Sequence, residues 1–178
     1  MKQQAALTMF SLIVSGIFLG SCQKETAIQP ISEEQAVSAM NNGSQEVKML
    51  PIKGSYITTN EILAPAPMLR QRITGIGESS HLGEGTFVAI ATLNLTTPPP
   101  FQLGGTCTFY AANGDTFLTV FSGTSTPVGN GILSVVINHT INGGTGRFSN
   151  ATGSLTGTTI ANPALPTGFT AYTGTISY

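Results

Sequence analysis

The stretch INGGTGRFSNATGSL, residues 141–155, decides whether this chain builds a nucleotide-binding loop or an all-β fold. Four glycines surround a single cation, Arg147, and a glycine-rich loop of this kind is typical of phosphate-binding sites. Such a loop binds phosphate where it leads into the N-terminus of a helix, whose free amides point at the anion. The residues after Arg147 lack helical spacing of apolar side chains and are rich in Gly, Thr and Asn. The stretch therefore predicts a turn between two strands and argues against nucleotide binding.

Apolar and polar residues alternate with a period of two through much of the remaining chain, which is typical of β-strands with one solvated face. One example is residues 132–141, which place Leu133, Val135, Ile137, His139 and Ile141 on the same face. The segments between such runs are short and rich in Gly, Pro or Asn, and none is long enough for a crossover helix. Eight strands are predicted, at residues 48–59, 69–76, 86–95, 104–112, 116–123, 131–141, 153–160 and 168–178.

An antiparallel meander of eight strands loses its exposed edges when it closes on itself. Asn113 and Gly114, between the fourth and fifth strands, are a strong signal for a two-residue hairpin. From residue 85 onward the chain has twenty threonines and only two charged side chains, Asp115 and Arg147, a composition that suits a neutral pleated surface. The predicted fold is therefore all-β: a closed eight-stranded antiparallel up-and-down β-barrel domain over residues 48–178.

The segment GGTGRF at residues 143–148, followed by Ala151 and Gly153, resembles the GGTGxF signature of dirigent proteins and, more loosely, the GGSGxF segment of allene oxide cyclases. Bacterial members of this barrel group are similar at SHLG (80–83), AANGD (111–115) and GTISY (174–178). The resemblance spans about residues 72–178. It implies an eight-stranded barrel with a hydrophobic cavity and a calycin-like shape. Similarity elsewhere is too thin to carry over catalytic carboxylates, so no cyclase or coupling activity is inferred from it.

The first 21 residues resemble a lipoprotein signal peptide. Lys2 supplies a positive charge, an apolar run follows, and the sequence LGSC at residues 19–22 resembles the lipobox of bacterial lipoproteins. In that motif the cysteine, here Cys22, is acylated and becomes the new N-terminus. The alternative is an ordinary secretory signal with a chance cysteine. Residues 22–47 are polar and predict a tether with one short helical turn near residues 33–40, so the barrel is expected to be exported and lipid-anchored to the bacterial cell envelope, with the membrane as a partner.

The chain of 178 residues has a net charge of −1, so it lacks the excess of positive charge that attracts a nucleic acid. With Cys22 acylated, Cys107 is the remaining cysteine, and no intramolecular disulfide is expected. Because Cys107 belongs to the same apolar pattern as Phe109 and Ala111, every second residue of the predicted strand, it is interpreted as a buried thiol rather than a nucleophile. With two histidines and one free cysteine, a zinc site is not predicted, and neither is any cofactor.

Connections in a closed meander alternate between the two ends of the barrel. One end, called the charged rim, collects residues 78–84, 113–115 and 143–153, and almost every charge of the barrel is predicted there. In a structural interpretation Arg147 pairs with Asp115, Glu78 or Glu84, and His81 bonds turn backbone. In a catalytic interpretation His81 is a general base, Glu78 or Glu84 orients it and Arg147 anchors an anion. The structural set of this rim comprises Asn113, Asp115, Gly143, Gly144, Gly146 and Arg147.

The other end, called the proline rim, collects residues 64–67, 97–101, 125–128 and 162–166. Phe101, Leu103, Leu165 and Phe169 are candidates to frame a mouth to a dry cavity that takes a small apolar or amphipathic ligand. An isomerase or cyclase acting on such a ligand, and a structural or surface-interaction module with a filled barrel, stay open as alternatives. A cavity of about 300 Å³ or more would favour ligand binding, whereas a packed core would favour the structural role.

Overall fold

The barrel consists of eight long antiparallel strands joined by short turns. A computed structural model describes residues 47–162 and 165–178, so the predicted leader, Cys22 and the predicted tether up to residue 46, with its helical turn, lie outside the described residues. The strands are β1 (Leu50–Ala64), β2 (Met68–Ser79), β3 (Gly83–Asn94), β4 (Phe101–Tyr110), β5 (Thr116–Gly129), β6 (Ile132–Gly144), β7 (Thr152–Ala161) and β8 (Thr167–Ser177).

Each strand pairs with the next, and β8 returns to pair with β1, which closes the barrel. The predicted fold class is confirmed, as are all eight strands. Several strands run further than predicted, and the largest differences are in β1, which continues to Ala64, and in β5, which continues to Gly129. The register of β5 against β6 becomes irregular between Pro127 and Gly129, and this irregularity accommodates a proline inside a strand. The turn at this end is therefore Asn130 and Gly131, beyond the predicted residues 125–128.

The turn at residues 145–151 joins β6 to β7 through a single 3-10 turn at Gly146–Phe148 and leads into a strand, as the sequence predicted. Gly146 has a positive φ of 55°, and a Cβ built on it would lie 1.8 Å from Oδ1 of Asp115. A glycine is thus required here to let the backbone approach the Asp115 carboxylate. The glycines of this stretch serve a turn and a close approach between two loops.

The interior differs between the two halves of the barrel. The half next to the charged rim is filled by aromatic rings, and Phe109, Phe117 and Phe148 are each at most 1% exposed. The Phe109 and Phe117 rings stack with centroids 4.6 Å apart, and Phe148 meets Phe117 edge-on at 5.6 Å. Inward side chains nearer the proline rim, such as Leu93 and Leu133, are only half-buried. One half is therefore a packed core, and the other leaves internal space.

The outer face carries more charge than predicted. Glu61, Arg70 and Arg72 lie on the β1–β2 hairpin toward the proline rim, and Arg72 forms an exposed ion pair of 2.8 Å with Glu61. The prediction that almost every charge lies at the charged rim is therefore wrong, because outward positions of β1 and β2 tolerate ions anywhere along the strand. No helix within residues 47–162 and 165–178 is long and apolar enough to cross a bilayer.

Candidate functional site

Arg147 and Asp115 are brought together at the charged rim by the turns at residues 111–115 and 145–151. Nε of Arg147 lies 3.7 Å from Oδ2 of Asp115, and the same oxygen accepts bonds from the Asn113 side-chain amide at 2.8 Å and the Arg147 backbone amide at 3.4 Å. The structure thus selects Asp115 from the three partners considered for Arg147. One carboxylate oxygen links both turns.

The Arg147 guanidinium also fastens a third turn of this rim. Its Nη2 donates to the backbone carbonyl of His81, and its Cζ lies 4.7 Å from the Phe148 ring centroid and 6.0 Å from that of Tyr178. The charge is therefore held between a carboxylate, a carbonyl and two aromatic faces. The guanidinium of Arg147 is therefore engaged in contacts within the protein.

His81 uses both ring nitrogens to bind the chain. Nε2 lies 2.9 Å from the carbonyl oxygen of Pro51, and Nδ1 lies 3.2 Å from the hydroxyl of Tyr178. Because a carbonyl only accepts, Nε2 carries the proton and Tyr178 donates to Nδ1. Its backbone adopts a positive φ of 68° in the β2–β3 turn. His81 therefore joins the β1 start, this turn and the β8 end.

Glu78 and Glu84 do not take the roles that the catalytic interpretation gives them. They are exposed and lie opposite each other across the β2–β3 ladder. Among the described residues, neither carboxylate forms a hydrogen bond with His81, whose nitrogens are engaged by Pro51 and Tyr178. No described contact supports the predicted pairing of a base and an orienting acid.

The internal space below the proline rim is a cavity of about 120 Å³. Aromatic rings and the Cys107 thiol form its floor, and aliphatic side chains line much of the rest together with polar ones such as Asn60, Gln71 and Ser125. No Asp, Glu, Lys or Arg lines it. The floor comprises Phe87, Cys107, Phe109, Phe121 and Tyr172, and the aliphatic side chains include Leu69, Leu93, Leu103, Leu133 and Val135.

Of the four residues predicted at the mouth, Leu103 lines the cavity. Phe101 begins β4 and is half-buried, while Leu165 is exposed on the β7–β8 loop. Phe169 points outward and is 51% exposed, because Thr170 and Tyr172 of the same strand point inward. The placement of Phe169 at the mouth is corrected by this alternation.

Leu69, Leu93 and Leu133 also line the cavity, although they were not predicted at its mouth. Leu133 belongs to the inward face predicted for residues 132–141, so the alternation itself contained the information. Proximity to proline-containing loops identifies the end of the barrel at which a residue lies, but not whether its side chain points inward or outward.

His139 lies in the cavity wall and is 8% exposed. Its Nδ1 is 2.9 Å from Oγ1 of Thr119, and burial lowers the pKa of the imidazole to about 4. It is thus an interior, hydrogen-bonded histidine that is neutral at pH 7.

The Cys107 thiol is 2% exposed, and burial raises its pKa far above the ordinary range. A thiol that stays protonated is a poor nucleophile, which agrees with its interpretation as a small apolar side chain. Burial also raises the pKa of Tyr172, so the floor of the cavity is uncharged.

The chemistry available in the cavity is therefore that of a small, neutral, mostly apolar pocket. Within the described part of the chain, no group of three His, Cys, Asp or Glu side chains could hold a metal ion. In comparisons with known proteins, no family model, no curated protein and no solved structure matches this chain.

Proposed function

We propose that this chain is an exported, lipid-anchored β-barrel that binds a small apolar molecule in the cavity below the proline rim. The observation that carries this proposal is the cavity of about 120 Å³, whose lining is mostly apolar, with an aromatic floor, a few neutral polar side chains and no formally charged one. Burial of apolar surface is the main driving force available in such a pocket.

The cavity volume restricts the size of the ligand. The cavity does not reach the volume of about 300 Å³ at which pockets for drug-sized molecules begin and which would favour binding of such a ligand over a filled barrel. It is closer to an apolar cavity of about 150 Å³, which is large enough for benzene. The proposed ligand is therefore a single-ring molecule, or the end of a longer chain that enters through the proline rim.

The structure offers no comparable support for the enzymatic alternative. His81 is hydrogen-bonded through both ring nitrogens and does not line the cavity, while Cys107 stays protonated. The filled aromatic half agrees with a structural role for the charged rim, and this role is compatible with ligand binding in the other half.

The lipid anchor rests on the LGSC motif at residues 19–22. Mass spectrometry of the N-terminal peptide from the native host tests it. We expect a diacylglyceryl group and an acyl chain on Cys22, and a Cys22→Ser variant that stays unprocessed. An unmodified cysteine in the mature protein would contradict the anchor and leave the cavity proposal unaffected.

Titration with toluene tests ligand binding, with amide NMR shifts and melting temperature as the two measurements. We expect shifts for cavity residues and a higher melting temperature, since a ligand that binds only the folded state stabilises it. An Ala91→Leu variant fills the cavity and should abolish the shifts without lowering the melting temperature. The matched control is Ala171→Leu, at an outward position of β8, which should retain binding. Equal behaviour of the two variants would contradict the proposal.

A further inference from the structure

We infer that the cavity selects neutral molecules that carry a hydrogen-bond donor, such as a phenol or a small alcohol, through Nε2 of His139. This inference rests on the proposed function and adds the chemical class of the ligand.

The His139 ring is held in one orientation by its neighbours. It packs against Phe121 at a centroid distance of 5.1 Å and meets Phe109 edge-on at 6.1 Å. The bond from Nδ1 to Oγ1 of Thr119 fixes which edge of the ring faces the protein. The opposite edge, with Nε2, therefore has a defined position at the cavity wall.

The hydrogen-bond chain assigns the proton on the ring. The Thr119 hydroxyl has one proton, and its two neighbours are Nδ1 of His139 at 2.9 Å and the carbonyl oxygen of Cys107 at 3.5 Å. Because the carbonyl can only accept, both bonds form together when Thr119 donates to Cys107 and Nδ1–H donates to Thr119. In this tautomer Nε2 has a free lone pair and acts as an acceptor.

Gly157 lies beside Nε2 of His139 and presents no side chain to it. A Cβ at Gly157 would lie 3.8 Å from Nε2, so even a methyl group would contact this nitrogen. Among the described residues, no side chain or backbone group forms a hydrogen bond with Nε2. Nε2 is therefore an acceptor at the cavity wall that a ligand donor can use, and a donor buried in the cavity needs such a partner.

The surroundings exclude charged ligands. The titratable groups that line the cavity with His139 are Cys107 and Tyr172, and burial raises the pKa of both, so neither is ionised at neutral pH. His139 itself is neutral there, since burial lowers its pKa to about 4. An ion would lose its hydration without gaining a counter-charge, whereas a neutral donor loses little.

The experiment compares phenol with toluene, two probes of matched size that differ in the donor. We expect phenol to bind the unmodified protein at least as tightly as toluene, by NMR titration. In a His139→Leu variant the phenol-to-toluene affinity ratio should fall about tenfold, because the phenol hydroxyl then loses its acceptor whereas toluene has no donor. A phenol-to-toluene affinity ratio that is the same in both proteins would overturn the inference.

Two further variants keep the test decisive if His139→Leu does not fold. Gly157→Ala narrows the space at Nε2 with ordinary contacts, so it should weaken phenol more than toluene. Thr119→Val removes the group that sets the tautomer of His139 and should also reduce the preference for phenol. Such a reduction would show that Thr119 positions His139. An unchanged preference in both folded variants would contradict the inference. If neither probe binds the unmodified protein, the proposed function fails and the inference fails with it.

Discussion

Nη2 of Arg147 donates to the backbone carbonyl of His81, which lies 66 residues earlier in the chain, and so connects the β6–β7 turn to the β2–β3 turn. The same guanidinium reaches Asp115 in the β4–β5 turn. Three separate turns are thus joined by one side chain, which covers the aromatic half of the barrel.

Replacement of Arg147 by Met should lower the free energy of unfolding by about 1 kcal/mol, since the lost bonds are charge-assisted but partly screened at a half-exposed site. Urea denaturation measures this change. The control is Arg72→Met, which breaks the exposed pair with Glu61 and should change stability by less than about 0.5 kcal/mol. Equal losses in the two variants would mean that the charged rim contributes nothing beyond a surface ion pair.

A His81→Ala variant should melt a few degrees lower and bind toluene unchanged. The substitution removes the bonds to Pro51 and Tyr178 and leaves alanine at a positive φ, which favours glycine or asparagine. Calorimetry and an NMR titration on the same sample check both effects. Unaltered stability together with lost ligand turnover or binding would instead support the catalytic interpretation.

Gly146→Ala and Gly114→Ala form a matched pair that separates crowding from backbone strain. Both glycines have a positive φ, but a Cβ at Gly146 collides with the Asp115 carboxylate, whereas none of the described atoms lies within 4 Å of a Cβ at Gly114. We expect Gly114→Ala to lower the free energy of unfolding by about 1 kcal/mol, and Gly146→Ala by at least about 2 kcal/mol more. Similar losses would show that the β4–β5 turn moves freely away from residue 146.

The neutral state of His139 predicts a pH-dependent stability. Its pKa is about 4 in the folded protein and 6.5 in the unfolded chain, so between these values the unfolded state binds the proton and the folded state does not. Stability should therefore be nearly constant well above pH 6.5, fall by about 3 kcal/mol as the pH is lowered from 6.5 to 4, and level off below pH 4. Urea denaturation at several pH values measures the curve.

The control for this pH dependence is His139→Gln, which retains a polar side chain that does not titrate. The difference between the two curves isolates His139 from the carboxylates, which titrate in both proteins. Parallel curves between pH 4 and 6.5 would indicate that His139 is protonated in the folded barrel without cost.

The strands were predictable because apolar inward residues and more polar outward residues alternate along most of the chain. The run from Leu133 to Ile141 shows this clearly, and its even-numbered residues point to solvent. The end of β5 was less predictable, since Gly123, Ser125 and Pro127 have the composition of a turn. Ser125 is nevertheless buried inside the barrel, and pairing with β6 outweighs the local preference.

The partners inside the candidate sites depend on register between strands, which local sequence does not specify. Thr119 and His139 are neighbours because β5 pairs with β6 in a register that sets Phe121 opposite His139. Asp115 meets Arg147 because Gly146 allows the turn to approach it. The sequence predicted which end of the barrel Arg147 occupies, but three acidic partners were equally compatible with that placement.

The filled half and the hollow half of the barrel are expected to differ in how well they tolerate amino-acid substitutions. Substitutions among Phe109, Phe117 and Phe148 act on the fold as a whole, because these rings fill the space that holds the strands together. Leu69, Leu93 and Leu133 line space that is already empty, so exchange of these side chains alters the shape of that space at little structural cost. Substitutions near the proline rim are therefore expected to change which ligand fits the cavity, while the aromatic half of the barrel stays the same.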